Sequence, residues 1–275
     1  MMRRFPTILT GGILTGLVAG CLLTCGPAVN AAEPATAEKP AAGDVKLRNI
    51  VRRQLPQEAR AIGLEFKVVT LDGSGAEKWV DPEFHSFQIG DSFLVKIKPQ
   101  DDVFVYVFTE GPKGERHCLL PTAEEKPAFV RAGKEISLPD DGGWFEFQPP
   151  AGSEKLVVIA SKEANQKLSL LAAAAFNEAG RKLSSAEEAK KQELDAEVSG
   201  VRERGGIRTR GLNKKNMGSL TDGFDAENGR QTVIDPPQEG ETTTLAISRV
   251  GSKAGPAELI VDIPLRSKAA PNGGK

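Results

Sequence analysis

Residues 103–108 read Val-Phe-Val-Tyr-Val-Phe, and all six of these side chains are apolar or aromatic. Alternate side chains of an extended strand point to opposite faces, so the three valines would share one face and the three rings the other. A strand that is apolar on both faces must be covered on both faces. The stretch therefore predicts the central strand of a sheet that lies between two other layers.

Segments on either side of this strand alternate between apolar and polar residues, as strands with one buried face do. They cover residues 64–70, 92–98 and 144–148, and turns rich in Gly, Pro and Asp separate them. Short strands divided in this way predict an antiparallel β-sandwich or a partly open barrel over residues 63–161. The chain is thus expected to be mainly β, with appended helices.

Several short motifs follow one another in this region. They are Phe87-Gln-Ile-Gly-Asp91, the apolar strand that ends at Phe108, Leu119-Leu-Pro121, Ile136-Ser-Leu-Pro139, Pro150-Ala-Gly152 and Val158-Ile-Ala-Ser161. Their order over roughly residues 64–161 resembles an uncharacterised bacterial family, the domain of unknown function 4384. The resemblance implies an accessory or interaction module of an exported protein. It implies no catalytic residue, because none is established for that family.

The first 31 residues have the pattern of an export signal. Two arginines precede an apolar segment, residues 7–19, that is too short and too rich in glycine to predict a membrane span. Cleavage after Ala31 is one predicted outcome. The other is processing at the lipobox-like Val18-Ala-Gly-Cys21, after which a lipid on Cys21 would anchor the chain to the membrane. Both outcomes predict a periplasmic or cell-envelope protein.

Outside the sandwich, the sequence predicts a tether, helices and a hairpin. Residues 32–43 are rich in Ala, Pro, Glu and Lys, the composition of a solvated tether. Apolar spacing predicts a helix over residues 44–62 and further helices within 162–199, the second of which begins at the capping-box pattern Ser184-Ser-Ala-Glu187. Residues 242–268 predict a β-hairpin that joins the sheet and makes the folded unit discontinuous in sequence, and residues 269–275 predict a loose tail.

Residues 200–241 are predicted to form a flexible basic and polar loop, because glycines interrupt a series of positive charges. The candidate contacts of this loop with an anionic polymer are Arg202, Arg204, Arg208, Arg210, Lys214 and Lys215. No aromatic residue stands among them, although aromatic side chains commonly accompany basic ones in proteins that bind single-stranded nucleic acid. With the export signal, this argues against nucleic acid and favours an anionic polymer of the envelope as ligand.

Few side chains have a spacing that points to catalysis or metal binding. The two histidines, His85 and His117, fall in strand-like runs, and a metal site needs three or four converging donors. Cys118 is predicted to be a buried thiol. The sequence contains no nucleophile elbow, phosphate-binding loop or dinucleotide fingerprint. We therefore predict no enzyme activity, no catalytic residue, no cofactor and no metal.

Paired acids are the one feature that keeps other chemistry open. Asp101-Asp102 and Asp140-Asp141 are predicted to form turns through their side chains, although such pairs could also bind Ca²⁺. Carboxylates such as those of Asp141 and Glu146 could serve a glycoside hydrolase if they faced each other across a groove.

The favoured hypothesis is a non-enzymatic exported domain that binds a protein or an envelope polymer. Two alternatives stay open: a cell-envelope carbohydrate hydrolase, and an anionic-polymer-binding arm carried by a structural domain. The formal net charge of −1 gives no long-range attraction toward a nucleic acid or an acidic membrane.

Overall fold

The computed structural model describes residues 3–5, 60–111, 116–121, 128–174, 184–205, 207–210, 224–237 and 241–269. These residues form two β-sheets that pack face to face, and two helices cover the outer face of the second sheet. The sheets do not close into a barrel, so the predicted sandwich is confirmed.

The secondary structure is dominated by short strands. In chain order they are β1 (Arg3–Phe5), β2 (Arg60–Leu71), β3 (Glu77–Val80), β4 (Phe87–Gln88), β5 (Ser92–Pro99), β6 (Val103–Glu110), β7 (Arg116–Leu120), β8 (Phe129–Val130), β9 (Ile136–Leu138), β10 (Trp144–Glu146), β11 (Ser153–Ser161), β12 (Ile207–Arg210), β13 (Arg230–Asp235), β14 (Thr244–Val250) and β15 (Glu258–Lys268). The helices are α1 (Gln166–Ala174) and α2 (Ser185–Arg204).

Sheet 1 has the order β1-β10-β5-β2-β14-β13-β12, with β3 paired to β2 and β9 paired to β5. Sheet 2 has the order β4-β15-β11-β6-β7, with β8 paired to β6. Neighbouring strands are antiparallel apart from β12–β13 and β15–β4. β1 lies within the predicted export signal, so cleavage at either predicted position would remove it and make β10 an edge strand.

The central strand β6 is buried on both faces, as its sequence predicts. Val103, Val105 and Val107 lie in the core between the two sheets. Tyr106 and Phe108 lie in a second cluster, where the apolar face of α2 covers sheet 2. At this interface the Tyr106 hydroxyl accepts a hydrogen bond from the Asn165 backbone N–H (2.9 Å), so the buried hydroxyl is satisfied.

Helix α2 begins with a capping box at Ser184, as the sequence predicts. The Ser184 hydroxyl accepts from the Glu187 N–H (3.4 Å), and the Glu187 carboxylate accepts from the Ser184 N–H (2.9 Å). The helix ends at Arg204, beyond the predicted boundary at residue 199. The extension follows from Val201, which continues the buried stripe of Leu194 and Val198.

Replacement of Ser184 with alanine is expected to lower the free energy of unfolding by about 1 kcal/mol, because an N–H at the start of α2 loses its acceptor. Urea unfolding followed by circular dichroism measures the change. Ser185→Ala is the matched control, since Ser185 is exposed and lies one residue inside the helix. Equal losses in both variants would show that the cap contributes nothing.

Three predicted boundaries are wrong. Residues 60–62 belong to strand β2 and not to the predicted helix, because they pair with residues 248–250 of β14. The predicted loop 200–241 includes the end of α2, strand β12 and strand β13. Strands β14 and β15 do not form the predicted hairpin, because β14 pairs with β2 and β13 in sheet 1 whereas β15 pairs with β11 and β4 in sheet 2. They nevertheless complete the sandwich from a distant part of the chain.

Candidate functional site: an apolar cleft between the sheets

A cleft of about 220 Å³ lies between the two sheets. Sheet 1 contributes residues of β2, β13 and β14, sheet 2 contributes residues of β15, and the segment between β3 and β4 forms the remaining wall. The apolar lining consists of Phe66, Pro82, Phe84, Ile234, Pro236, Val261 and Pro264. Phe66 and Val261 belong to the core, so the floor of the cleft is continuous with the hydrophobic interior.

The segment between β3 and β4 is an ordered turn that holds Phe84 at the mouth of the cleft. The Asp81 carbonyl accepts hydrogen bonds from the N–H groups of Phe84 (3.2 Å) and His85 (2.8 Å). The Asp81 side chain accepts a further bond from the Glu83 N–H (3.0 Å). Pro82 is buried and anchors the turn. Phe84 is nevertheless 85% exposed, which is unusual for an aromatic side chain in a well-bonded turn.

The base of this turn packs on an aromatic cluster. The His85 and Phe87 rings pack edge to face with their centroids 4.4 Å apart, and the Phe87 and Phe147 rings stack with their centroids 4.6 Å apart. Burial lowers the pKa of the His85 imidazole below its ordinary value. The contact of the His85 ring with Phe87 fixes the turn on the core.

Carboxylates form the polar part of the cleft. Asp81, Glu83 and Asp262 line it. Asp262 makes an ion pair with Arg202 at 2.9 Å. The cleft therefore combines an apolar floor with a polar rim.

Two of the sequence-predicted polymer contacts, Arg202 and Arg204, are engaged within the fold. Arg202 bonds Asp262 (2.9 Å) and lies 3.5 Å from Glu110. Arg204 donates to Glu258 (2.9 Å), and this hydrogen bond is the main cause of the raised pKa of its guanidinium. Both side chains fasten the end of α2 to sheet 2, a different role from the one predicted.

Of the other predicted polymer contacts, two fall within the described residues. Arg208 and Arg210 lie on strand β12 at the edge of sheet 1. Lys214, Lys215 and the lipidation candidate Cys21 lie outside the described residues. Cys118 lies on β7 and is buried, as predicted, with its thiol 3.6 Å from the Pro121 carbonyl oxygen.

The paired acids make hydrogen bonds that shape loops. Asp101 accepts from the Gly63 N–H (3.1 Å), Asp102 from the Ala132 N–H (2.8 Å) and Asp141 from the Gly143 N–H (2.9 Å). Glu146 accepts from the Gln148 amide (2.8 Å). Within the part of the chain that the structure describes, no group of three or more His, Cys, Asp or Glu side chains could hold a metal ion.

Sequence reasoning missed the cleft because its lining comes from five separate segments of the chain. One signal was available in the sequence. Phe84 follows Asp81-Pro82, a turn-forming pair, and no strand periodicity requires an aromatic residue at its position. An aromatic side chain in a turn between two strands is a candidate contact with another molecule.

The fold is a β-sandwich with an apolar cleft between its sheets, and comparison with known proteins identifies what the chain resembles. Residues 86–164 match the family described as domain of unknown function DUF4384, which confirms the resemblance seen in the sequence. The chain is also similar to the outer-membrane lipoprotein carrier protein of Psychromonas ingrahamii, with 26% identity over 89 residues. That match covers 31% of this chain and 42% of the relative, so the chain spans less than half of the relative's length.

No solved structure matches this chain. None of the helices in the described part of the chain is long and apolar enough to cross a membrane. Together, the family match and the distant relative indicate an accessory role associated with the cell envelope.

Proposed function

We propose that this protein is a non-enzymatic accessory domain of the cell envelope that binds a partner protein through the cleft beside Phe84. The proposal depends on Phe84. Its side chain is 85% exposed, although three hydrogen bonds to Asp81 hold the backbone of its turn. Burial of a phenylalanine side chain contributes about 1.5–3 kcal/mol, so a partner that covers this ring gains a substantial anchor.

The use of polar groups elsewhere supports a binding role over a hydrolytic one. Asp141 bonds the backbone of its own turn, and Glu146 bonds Gln148, so both carboxylates named for the hydrolase alternative have structural partners. The cleft itself is lined mainly by apolar side chains, and its Asp262 carboxylate is paired with Arg202. An apolar surface with a polar rim is typical of a protein-binding site.

The envelope location is supported by the export-signal pattern and by the distant relative. That relative is an outer-membrane lipoprotein carrier protein. Because the match covers less than half of the relative, it supports the same cellular compartment for this chain but does not identify a cargo.

Photocrosslinking in the native host tests the proposal. A photoreactive phenylalanine analogue is placed at position 84, and a matched control carries it at position 170, because Leu170 is also an exposed apolar residue but lies on α1. We expect one dominant adduct from position 84, identified by mass spectrometry, and no such adduct from position 170. The same identified partner must bind the purified full chain.

Two outcomes would contradict the proposal. If purified protein releases soluble sugar from envelope glycans and Glu146→Gln abolishes the release, the hydrolase alternative is correct. If salt-sensitive binding to an envelope polyanion is lost when Arg208, Arg210, Lys214 and Lys215 are replaced by serine, the basic-arm alternative is correct.

A further inference from the structure

We propose that strand β10 accepts an extended segment of a partner polypeptide, with a basic, an apolar and an aromatic residue in succession, as a new antiparallel strand of sheet 1. This surface is separate from the cleft beside Phe84, because no residue of β10 lines the cleft. The inference therefore goes beyond the proposed function and does not depend on it.

In the full chain, the outer edge of β10 is occupied by strand β1. The two strands are antiparallel, and their register pairs Arg3 with Glu146 and Phe5 with Trp144. Because β1 lies within the predicted export signal, removal of that signal leaves the backbone N–H and C=O groups that β10 directs toward β1 without a strand partner. An edge that pairs with one extended segment of the chain has the geometry to pair with a segment of another polypeptide.

β10 lacks the residues that commonly prevent an edge strand from pairing. Such edges often carry lysine, proline or a charged residue that points inward. β10 reads Trp-Phe-Glu, and its central residue Phe145 points into the core, where it is 1% exposed. Strand β12, at the opposite edge of sheet 1, reads Ile-Arg-Thr-Arg, so two arginines disfavour a further strand there. Of these two edges, β10 is the one that favours a partner strand.

The position opposite Phe145 favours an apolar residue in the partner segment. Directly opposed residues of an antiparallel pair project from the same face of a sheet. Phe145 is on the core-facing side, so the residue opposite it lies at the edge of the core. β1 has Arg4 at this position. An apolar residue would remove more apolar surface from water, so a partner segment can pair more tightly than the chain's own β1.

The two neighbouring positions favour a basic and an aromatic residue. Trp144 and Glu146 are partly exposed and project from the face opposite to Phe145. Pairs of opposite charge and pairs of aromatic rings stabilise adjacent strands, and β1 itself has Arg3 opposite Glu146 and an aromatic residue opposite Trp144. The partner segment is therefore basic, apolar and aromatic in that order, and it contains no proline, which lacks the N–H group of a ladder.

Amide chemical-shift titration of the ¹⁵N-labelled chain tests the inference, because a strand of three residues offers few hydrogen bonds and binds weakly. The chain begins at Ala32 and retains every strand except β1. The probe is the peptide Met-Met-Arg-Arg-Phe-Pro-Thr-Ile, which is residues 1–8 of the chain. We expect shifts concentrated at residues 144–146.

Two variants of the peptide test the register. Arg4→Leu should bind about threefold more tightly, because leucine adds apolar contact at the edge of the core. Arg3→Pro combined with Arg4→Pro should weaken binding about tenfold. One of two successive residues in a strand directs its N–H toward the neighbouring strand, so this double change removes a ladder hydrogen bond in either alignment.

Variants of the chain locate the binding. Glu146→Lys should weaken the peptide about fivefold, because it places like charges opposite each other. Glu193→Lys is the matched control, since Glu193 is exposed on α2, and it should change nothing. The full chain, made by cell-free synthesis without membranes, should bind the peptide about fivefold more weakly, because its tethered β1 competes for the edge. Arg3→Pro combined with Arg4→Pro in the full chain should restore binding without truncation.

Binding that survives both prolines in the peptide, or shifts at Phe84 in place of residues 144–146, would overturn the inference. So would the absence of shifts with the Arg4→Leu peptide in both the shortened chain and the full chain with two prolines. Concentration-dependent broadening of residues 144–146 without peptide would identify a second copy of the chain as the occupant and would also overturn it. None of these results affects the crosslink from position 84, so failure here is distinguishable from failure of the proposed function.

Discussion

Phe147→Ala is expected to lower the free energy of unfolding by about 3–5 kcal/mol, because it removes a fully buried ring and leaves a cavity between the sheets. The Phe147 ring packs on Phe87 at 4.6 Å and on Phe93 at 4.8 Å. Both neighbours are also completely buried, so they cannot collapse into the space from the surface. Equilibrium urea unfolding followed by tryptophan fluorescence measures the loss.

Phe84→Ala is the matched control, since it deletes the same atoms from a ring that is 85% exposed. Its unfolding free energy should stay within about 0.5 kcal/mol of the wild type. Phe147 would then determine the stability of the fold, whereas Phe84 would determine the binding of the partner. A loss at Phe84 that equals the loss at Phe147 would show that the ring serves the fold and not a partner.

Glu110→Gln is expected to lower the free energy of unfolding at pH 7 by on the order of 2–3 kcal/mol. The Glu110 carboxylate lies 2.7 Å from the Arg116 guanidinium and 2.6 Å from the Lys155 ammonium group. The Arg116 side chain is only 8% exposed beneath α2, where it also forms an ion pair with Asp195. Neutralisation of the carboxylate would leave the buried Arg116 with less compensation. Urea unfolding at pH 7 gives the difference.

The same substitution has a predicted pH signature. Burial of Glu110 would by itself raise its pKa, but the hydrogen bonds from Lys155 and Arg116 outweigh burial and lower the pKa to about 2 from an ordinary 4.5. A depressed pKa contributes stability that is present above pH 4.5 and is lost as the pH falls toward 2. The wild type should therefore lose more stability than Glu110→Gln between these two pH values.

Glu193→Gln is the control for the charge change, because Glu193 is exposed on α2. Its stability should follow the wild-type pH curve. If Glu110→Gln and the wild type have parallel curves between pH 4.5 and 2, the carboxylate is not held ionised by its neighbours.

The sandwich could be predicted because the sequence of its central strand alone indicates that both faces of the strand are buried. The alternation of valines and rings in residues 103–108 specifies two covered faces, and the structure places sheet 1 on one side and α2 on the other. The capping box at Ser184 was equally local, since donor and acceptor lie three residues apart. Features written within a few residues were thus accessible from the sequence.

The partners of β14 and β15 could not be predicted, because alternation does not say which sheet a strand joins. The loop between them, residues 251–257, looks long enough for a hairpin but crosses from one sheet to the other. Arg60 donates to the Gly251 carbonyl (3.2 Å) and Arg230 to the Pro256 carbonyl (3.1 Å), which holds the loop in its crossing path. Such long-range bonds leave no periodic signal in the sequence.

Parts of the basic segment were mistaken for a loop for a similar reason. The charges of Arg202 and Arg204 suggested solvent, but their partners Asp262 and Glu258 lie on β15, far along the chain. The sequence alone does not distinguish a basic side chain that forms an ion pair within the fold from one that binds a ligand. The cleft was missed because its walls also assemble only in space.

The pairing of strands from distant parts of the chain has a consequence for biogenesis. The contact between Arg60 and Gly251 joins positions 191 residues apart, and β11 of sheet 2 needs β15 along its whole length. Such high contact order slows folding, and neither sheet can be completed before residues 244–268 have left the ribosome. The complete sandwich therefore forms only after synthesis of the carboxyl-terminal strands.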